Sequence, residues 1–172
     1  MMIKLQRISV FTSPTLLEAE VLWYGLEFDM IDSRTQLKVV QGTLNAVKYR
    51  DDILDHIVLS FMQQRNFDHV FQHDNARCHV ARVCQDFLKQ NHIRVLPWPA
   101  LSPDLSPIEH LWDELCRRVH HRQNLPVTLK ELRDALVHEW NNIPQAFIQR
   151  LIGSMRRRCE AVVAARGGQT SY

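Results

Sequence analysis

Two short motifs contain the acidic side chains with the clearest capacity for chemistry in this 172-residue chain. Asp74 lies in QHDNARCH and Glu109 lies in LPWPALSPDLSPIEHLW, with 34 residues between the two acids. Metal-dependent phosphoryl transfer needs carboxylates from separate segments that converge on Mg²⁺. The pair therefore indicates a divalent-metal site for that reaction. The structural alternatives are a strand-end residue that caps the next helix for Asp74 and a first-turn acid facing the helix dipole for Glu109.

The residues before the first motif predict a β-hairpin followed by a helix. Aromatic and aliphatic residues at 21–28 and the run at 36–41 are typical of strands, and the stretch 29–34 between them is expected to turn. Asn45 is a favourable helix cap. Apolar residues recur at helical spacing from Asn45 to residue 64, so we expect one helix there.

Asp74 is expected directly after a buried strand. The sequence predicts a strand at 69–72, an amphipathic helix at 76–90 and another short strand at 93–96. A carboxylate at the carboxyl end of a strand projects into the crevice where α/β sheets bind ligands. The order of strands and helices predicts an α/β fold.

Glu109 is expected in the first turn of a helix. Four prolines enforce an irregular loop before it, because proline fixes the backbone and restricts the residue before it; they are Pro97, Pro99, Pro103 and Pro107. Ser106 can cap a helix that has Pro107 in the favoured first position. Glu109 would then face the same crevice as Asp74.

The carboxyl-terminal third of the chain is predicted to be helical. Thr128 and Glu131 form a T-x-x-E capping box that opens a helix at 128–140. A further helix is expected at 144–165, ended by the glycines that follow, and the residues at 166–172 are expected to form a loose tail.

Basic residues are the candidates for contact with nucleic acid. The formal net charge is only +2, so the distribution of charge matters more than its sum. Clustered arginines suit phosphate backbones, although a solvated helix face has the same pattern. The candidate DNA-contacting residues are Arg77, His79, Arg117, Arg118, Arg122, Arg156, Arg157 and Arg158.

The cysteines and the apolar runs indicate the cellular compartment of the protein. Four cysteines without a CxxC pair are typical of a reduced intracellular protein. A zinc site is an alternative that would use His73, Cys78, His79 and Cys84. No apolar run approaches the roughly 20 residues of a membrane span, and the first residues do not resemble a secretory signal. We therefore expect no membrane partner and no secretion.

Taken together, QHDNARCH, SPDLSPIEHLW and NNIPQAF resemble the DDE catalytic domain of mariner-superfamily transposases, over about residues 23–172. The resemblance implies a ribonuclease-H-like mixed sheet with flanking helices and a helical carboxyl-terminal part. It also implies that Asp74 and Glu109 are the second and third acids of the family's triad and bind Mg²⁺ or Mn²⁺. The expected domain is 21–165, between a divergent segment at 1–20 and the tail at 166–172.

The first acid of the triad has no counterpart in the matching region. Residues 1–20 contain Glu18 and Glu20 but no aspartate, and VFTSP at 10–14 is only loosely similar to the family's opening strand. We therefore expect that strand to be missing or replaced. In the family the first acid bridges both metal ions, so weak metal binding and no cleavage activity are expected. Asp29 and Asp32 lie in the predicted turn and are poor substitutes.

The function expected from this resemblance is that of a transposase-derived DDE endonuclease domain. Its ancestral reaction is Mg²⁺-assisted cleavage and strand transfer of DNA, which we expect to be inactive here. The alternatives are a non-catalytic module that binds nucleic acid or protein, and a remnant of a mobile element. The family's helix-turn-helix region is not part of the match, so DNA binding is expected to be independent of sequence. A homodimer stays open, and the expected compartment is the nucleus in a eukaryote and otherwise the cytoplasm.

Overall fold

The chain divides into two compact units in a computed structural model that describes residues 6–7, 21–24, 35–64, 69–100, 102–168 and 170–171. The first unit is Met1–Ser9 with Glu18–Ala100, and the second is Val10–Leu17 with Leu101–Tyr172. The predicted turn at 29–34 and the VFTSP segment lie outside the described residues. The predicted division into 1–20, 21–165 and 166–172 stays a prediction.

The first unit contains a three-stranded antiparallel sheet. The strands are β1 (Gln6–Arg7), β2 (Val21–Tyr24) and β3 (Lys38–Gln41), paired in that order. β2 and β3 pair from Val21 opposite Gln41 to Tyr24 opposite Lys38, which confirms the predicted strand pairing; β3 begins two residues later than predicted, and residues 25–28 of the predicted first strand lie outside the described residues.

A continuous helical segment follows the sheet, and it changes width along its length. It consists of α1 (Ala46–Lys48), a π-helix (Tyr49–Leu59) and α2 (Ser60–Gln64). The predicted cap is confirmed, because Asn45 Oδ1 accepts the Lys48 N–H at 2.9 Å. The apolar pattern predicted a helix here but carried no signal for the wider π turns, which are rare in proteins.

The core of the first unit lies between this segment and helix α3 (Arg82–Gln90). The buried residues that form it are Val40, Leu44, Tyr49, Ile53, Leu54, Val58, Met62, Phe71, Cys84, Leu88 and Ile93.

The helix and the two strands that the sequence predicts around Asp74 are shorter in the structure. The helix expected from residue 76 begins at Arg82, because the Asp74 carboxylate accepts the Ala76 N–H at 2.9 Å and the chain then turns on the Ala76 carbonyl. The strands expected at 69–72 and 93–96 meet in one parallel bridge, between Phe71 and Val95. Pro97 cannot extend that pairing, because it has no N–H.

The described part of the second unit is helical, which confirms the prediction for the carboxyl-terminal part. After a 3₁₀ turn (Pro103–Leu105) come α4 (Pro107–His120), α5 (Leu129–Asn141), α6 (Gln145–Gly153) and α7 (Met155–Ala164). The prediction of a single helix at 144–165 is therefore wrong. It is interrupted at Ser154, whose hydroxyl donates to the Leu151 carbonyl at 2.6 Å and competes with the backbone ladder.

Two tryptophans lie at the centre of the second unit. Trp112 on α4 and Trp140 on α5 are both buried, and their rings lie 5.6 Å apart with 30° between their planes. The capping box that opens α5 is confirmed. Thr128 Oγ1 accepts the Glu131 N–H at 3.2 Å, and the Glu131 carboxylate accepts the Thr128 N–H. Among the helices of the described residues, none has the length and apolar character to cross a bilayer.

Candidate metal centre

Asp74 is held by two hydrogen-bond donors at the point where the buried segment ends. Its Oδ1 accepts the backbone N–H of Ala76 at 2.9 Å and lies 2.6 Å from Nδ1 of His79. The three residues before it, 71–73, are buried, whereas the Asp74 side chain keeps 26% of its surface exposed. The carboxylate is therefore fixed in place and still open to solvent, as a metal ligand must be.

Aromatic rings surround the donor to Asp74. His79 is fully buried, with the Tyr49 ring centroid at 4.4 Å and the His73 ring at 5.3 Å in a nearly parallel plane. Tyr49 and His73 are joined by a hydrogen bond of 3.1 Å between the hydroxyl and Nδ1. Burial lowers the pKa of His73 to about 4, and the neighbouring His79 adds to that shift, so His73 is neutral at physiological pH.

Glu109 lies in the first turn of α4, as predicted. Ser106 occupies the cap position, but its hydroxyl makes no capping hydrogen bond. The loop is held through Asp104 instead. The Asp104 carbonyl accepts a hydrogen bond from Arg158 at 2.8 Å, and its carboxylate accepts one from the Thr170 hydroxyl at 3.0 Å.

These contacts support a structural role for Asp104 rather than a metal-binding one. Glu109 itself is partly buried, and its Oε1 is shielded from solvent. A carboxylate in this position also benefits from the positive end of the helix dipole.

The family model for DDE superfamily endonucleases matches residues 30–133, a range that contains both acids. The chain belongs to this family. The resemblance to a DDE catalytic domain is thereby confirmed, and the sequence relatives described next show that this domain is of the Tc1/mariner type.

Transposases of nematode transposable elements are similar to this DDE domain in sequence. The Tc1 transposase of Caenorhabditis elegans is 42% identical over 105 residues, which cover 60% of this chain and 37% of that protein. The Tcb1 transposase of Caenorhabditis briggsae is 35% identical over 139 residues, which cover 79% of this chain and 49% of that protein. The chain thus spans about half or less of the length of these curated relatives.

Solved structures of the Mos1 mariner transposase share the fold. The Mos1 catalytic domain with raltegravir and Mg matches with a TM-score of 0.80 and 21% identity, over 99% of this chain and 85% of that one. The same domain was also solved with Mn. The match gives this DDE domain the ribonuclease-H-like fold of Mos1, as predicted, while the mixed sheet is not observed among the described strands.

The two acids of the DDE domain belong to different units, Asp74 to the first and Glu109 to the second. Their approach to a shared ion stays a prediction. Oxygen ligands with solvent access fit a divalent ion of the Mg²⁺ type, and the exposed, doubly anchored carboxylate of Asp74 meets that requirement. Across the part of the chain that the structure describes, no group of three or more His, Cys, Asp or Glu side chains is placed to hold a metal.

Cys84, one residue of the alternative zinc site, makes hydrogen bonds within the protein instead. Cys84 is buried, and its thiol donates to the carbonyls of Ala46 and Cys78 at 3.2 and 3.1 Å. Burial raises the pKa of the Cys84 thiol to about 11, and its contacts with two backbone carbonyls fit a structural role.

The candidate DNA-contacting residues separate by exposure. Arg77, Arg117, Arg156 and Arg157 are exposed, whereas Arg118 and Arg122 are half-buried. Arg117 and Arg118 both donate to the carboxylate of Glu114, and Arg122 pairs with Glu139 at 2.5 Å. Phosphate contacts by the half-buried pair would compete with these internal ion pairs.

Two of the candidates are buried among protein groups. Arg158 is only 3% exposed and donates to the Ser154 hydroxyl and the Asp104 carbonyl, both at 2.8 Å. The Nδ1 atom of His79 contacts the carboxylate of Asp74. Their burial favours roles within the protein over contact with a phosphate. Sequence reasoning missed Tyr49 as a neighbour of the site, because nothing near Tyr49 in sequence indicates contact with a motif 24 residues away.

Proposed function

We propose that this chain is a metal-binding DDE domain derived from a transposase, in which Asp74 and Glu109 ligate Mg²⁺ or Mn²⁺. In the ancestral reaction such ions activate a water or a DNA 3′-hydroxyl and stabilise the leaving oxygen. The observation that carries the proposal is the Asp74 carboxylate, which is anchored by His79 and Ala76 and open to solvent within the matched DDE region. The proposed ligand role of Glu109 rests on its place in the first turn of α4 within the same match.

We further propose that the 172-residue chain binds metal weakly and does not cut DNA by itself. Two-metal catalysis holds its ions roughly 3.5–4 Å apart, so that they clamp the attacking and leaving oxygens. Asp74 and Glu109 alone do not enforce that spacing, and residues 1–20 offer no aspartate as a third acid. In a eukaryotic cell we propose the nucleus as the compartment, where DNA is the partner.

A supercoiled-plasmid nicking assay with Mn²⁺ tests the inactivity. The expected result is no nicking above that of the Asp74→Ala variant. Robust nicking that disappears in both Asp74→Ala and Glu109→Ala would refute the proposal and imply a substitute acid, with Asp29 and Asp32 the first to exchange. Nicking that survives both substitutions would identify a contaminating nuclease, and the preparation would then be purified until that background is gone.

A non-catalytic DNA-binding module is the second candidate, and exposed arginines favour it. Arg77 lies three residues after Asp74, and Arg156 and Arg157 lie on α7. Such a module would bind phosphate backbones without sequence preference and without any need for metal. DNA binding that is unchanged by EDTA and by Asp74→Asn would favour the module over the metal-binding domain.

A further inference from the structure

The contact between His79 and Asp74 is built more rigidly than an ordinary surface ion pair. Nδ1 of His79 lies 2.6 Å from Asp74 Oδ1 and 3.3 Å from the Asp74 carbonyl oxygen. The imidazole has no exposed surface, whereas the carboxylate that it holds is partly exposed. One end of the contact is thus enclosed in the protein and the other end reaches solvent.

The neighbouring rings prevent the imidazole from turning away. The Tyr49 ring packs on one side at 4.4 Å, and the His73 ring lies at 5.3 Å with only 12° between the planes. Tyr49 is itself fully buried on the π-helix and hydrogen-bonded to His73. A ring confined in this way has already lost its rotational freedom, so little further entropy is lost when it orients a carboxylate.

The surroundings of the two ring nitrogens define the tautomer. Nδ1 faces two oxygen acceptors and therefore donates a proton to them. Nε2 is shielded from solvent and has no hydrogen-bond partner among the described residues. A proton on Nε2 would leave a buried donor unsatisfied, which is unfavourable. The arrangement fits an imidazole that donates from Nδ1.

We propose that His79 is a positioning residue that fixes the Asp74 carboxylate for its divalent ion. This inference rests on the metal-binding role proposed for Asp74. A donor behind a ligating carboxylate restricts its rotation and orients it before the ion arrives. Removal of such an outer partner typically lowers metal affinity about 10- to 100-fold.

Three variants separate this positioning role from simple packing. His79→Phe keeps a ring between Tyr49 and His73 but removes the donor, whereas His79→Asn keeps an N–H donor near the place of Nδ1. His92→Asn, at an exposed position with a φ of 55°, is the matched control. We expect His79→Phe to weaken Mn²⁺ binding about 10- to 100-fold, His79→Asn to recover most of that loss, and His92→Asn to bind like the unsubstituted chain.

Mn²⁺ binding is measured by electron paramagnetic resonance on the full chain, with thermal unfolding to establish that each variant is folded. Equal affinity in the unsubstituted chain and a folded His79→Phe variant, alongside loss in Asp74→Asn, would overturn the positioning role. If His79→Phe does not fold, the comparison of His79→Asn with His79→Gln decides, because only asparagine places its donor near Nδ1. Equal weakening in both would likewise overturn it.

A second readout needs no metal. In ¹⁵N-histidine spectra of the metal-free chain, His79 should carry a proton on Nδ1 that is hydrogen-bonded to Asp74, and Asp74→Ala should abolish that hydrogen bond. A proton on Nε2 with none on Nδ1 would refute the contact itself. Absence of any Asp74-dependent Mn²⁺ binding in the unsubstituted chain would overturn the proposed function and the positioning role for metal, while the tautomer would still report on the contact.

Discussion

At the scale of single residues, burial decides between roles that the sequence leaves open. The arginines of the RRR run at 156–158 are chemically identical, yet Arg158 is buried and holds the Asp104 carbonyl whereas Arg156 and Arg157 are exposed. The difference follows from helix geometry, because adjacent residues on α7 point about 100° apart. Charge in a sequence therefore identifies candidates, and the helix face selects among them.

Metal binding at Asp74 is the first residue-scale prediction. Asp74→Asn should abolish whatever Mg²⁺ or Mn²⁺ binding the chain shows, because it removes the charge while nearly keeping the shape. The measurement is a calorimetric titration, and Asp86→Asn is the control, since Asp86 is an exposed acid that pairs only loosely with Arg82 at 3.6 Å. Tight binding that persists in Asp74→Asn would refute the assignment.

At the scale of elements, the sequence predicted the helix starts whose signals are local. Asn45, the Ser106–Pro107 step and the Thr128–Glu131 box lie within a few residues of the starts they mark, and all three helices begin where predicted. The start of α3 was misplaced because its decisive contact is the Asp74 carboxylate on Ala76, a side-chain choice that periodicity does not report.

The candidate site was predictable only where its signals are local in the sequence. Asp74 and Glu109 were identified from motifs, but the Tyr49–His73–His79 packing around Asp74 depends on a helix distant in sequence. The buried position of Arg158 likewise depends on a contact with Asp104, which lies 54 residues earlier in the chain. Long-range contacts of this kind follow from tertiary packing, and no single stretch of sequence contains them.

Glu114 on α4 gives an element-scale prediction about pH. Burial acts to raise the pKa of this carboxyl, but the hydrogen bonds from Arg117 and Arg118 outweigh burial and lower the pKa overall. A carboxyl whose pKa is lower in the folded state contributes stability above its unfolded pKa, and loses it as pH falls through the folded value. The unfolding free energy should therefore decline below pH 4.5, the ordinary pKa of glutamate.

Glu114→Gln should flatten that decline and lower the unfolding free energy near neutral pH by about 1.5–3 kcal/mol, the range for hydrogen bonds to charged groups. Urea unfolding at several pH values measures both effects. Glu160→Gln is the control, because Glu160 pairs with Arg156 on an exposed surface. An acid limb that is identical in Glu114→Gln and the unsubstituted chain would contradict the assignment.

At the scale of the whole molecule, a net charge of +2 provides little long-range attraction for DNA. Any binding must therefore come from local clusters. If Arg156 and Arg157 meet phosphates, affinity should be independent of sequence and fall steeply with salt, and each arginine removed should lower the salt slope by about 1. Fluorescence anisotropy with a labelled duplex measures that slope.

Exchange of Arg157 to Gln is the informative change, and Lys130→Gln is the matched control because Lys130 is an exposed cation in the same unit. An affinity that does not change with salt, or a slope that drops equally in both variants, would show that α7 is only a solvated surface.

The hydrogen bond from Thr170 to Asp104 has a practical consequence for preparation of the protein. Thr170 lies two positions before residue 172 and is joined to the turn that precedes Glu109. A preparation that is shortened before Thr170 loses this hydrogen bond, so measurements on it would report on a Pro103–Leu105 turn without its Thr170 anchor. A preparation that retains Thr170 keeps the hydroxyl that donates to Asp104.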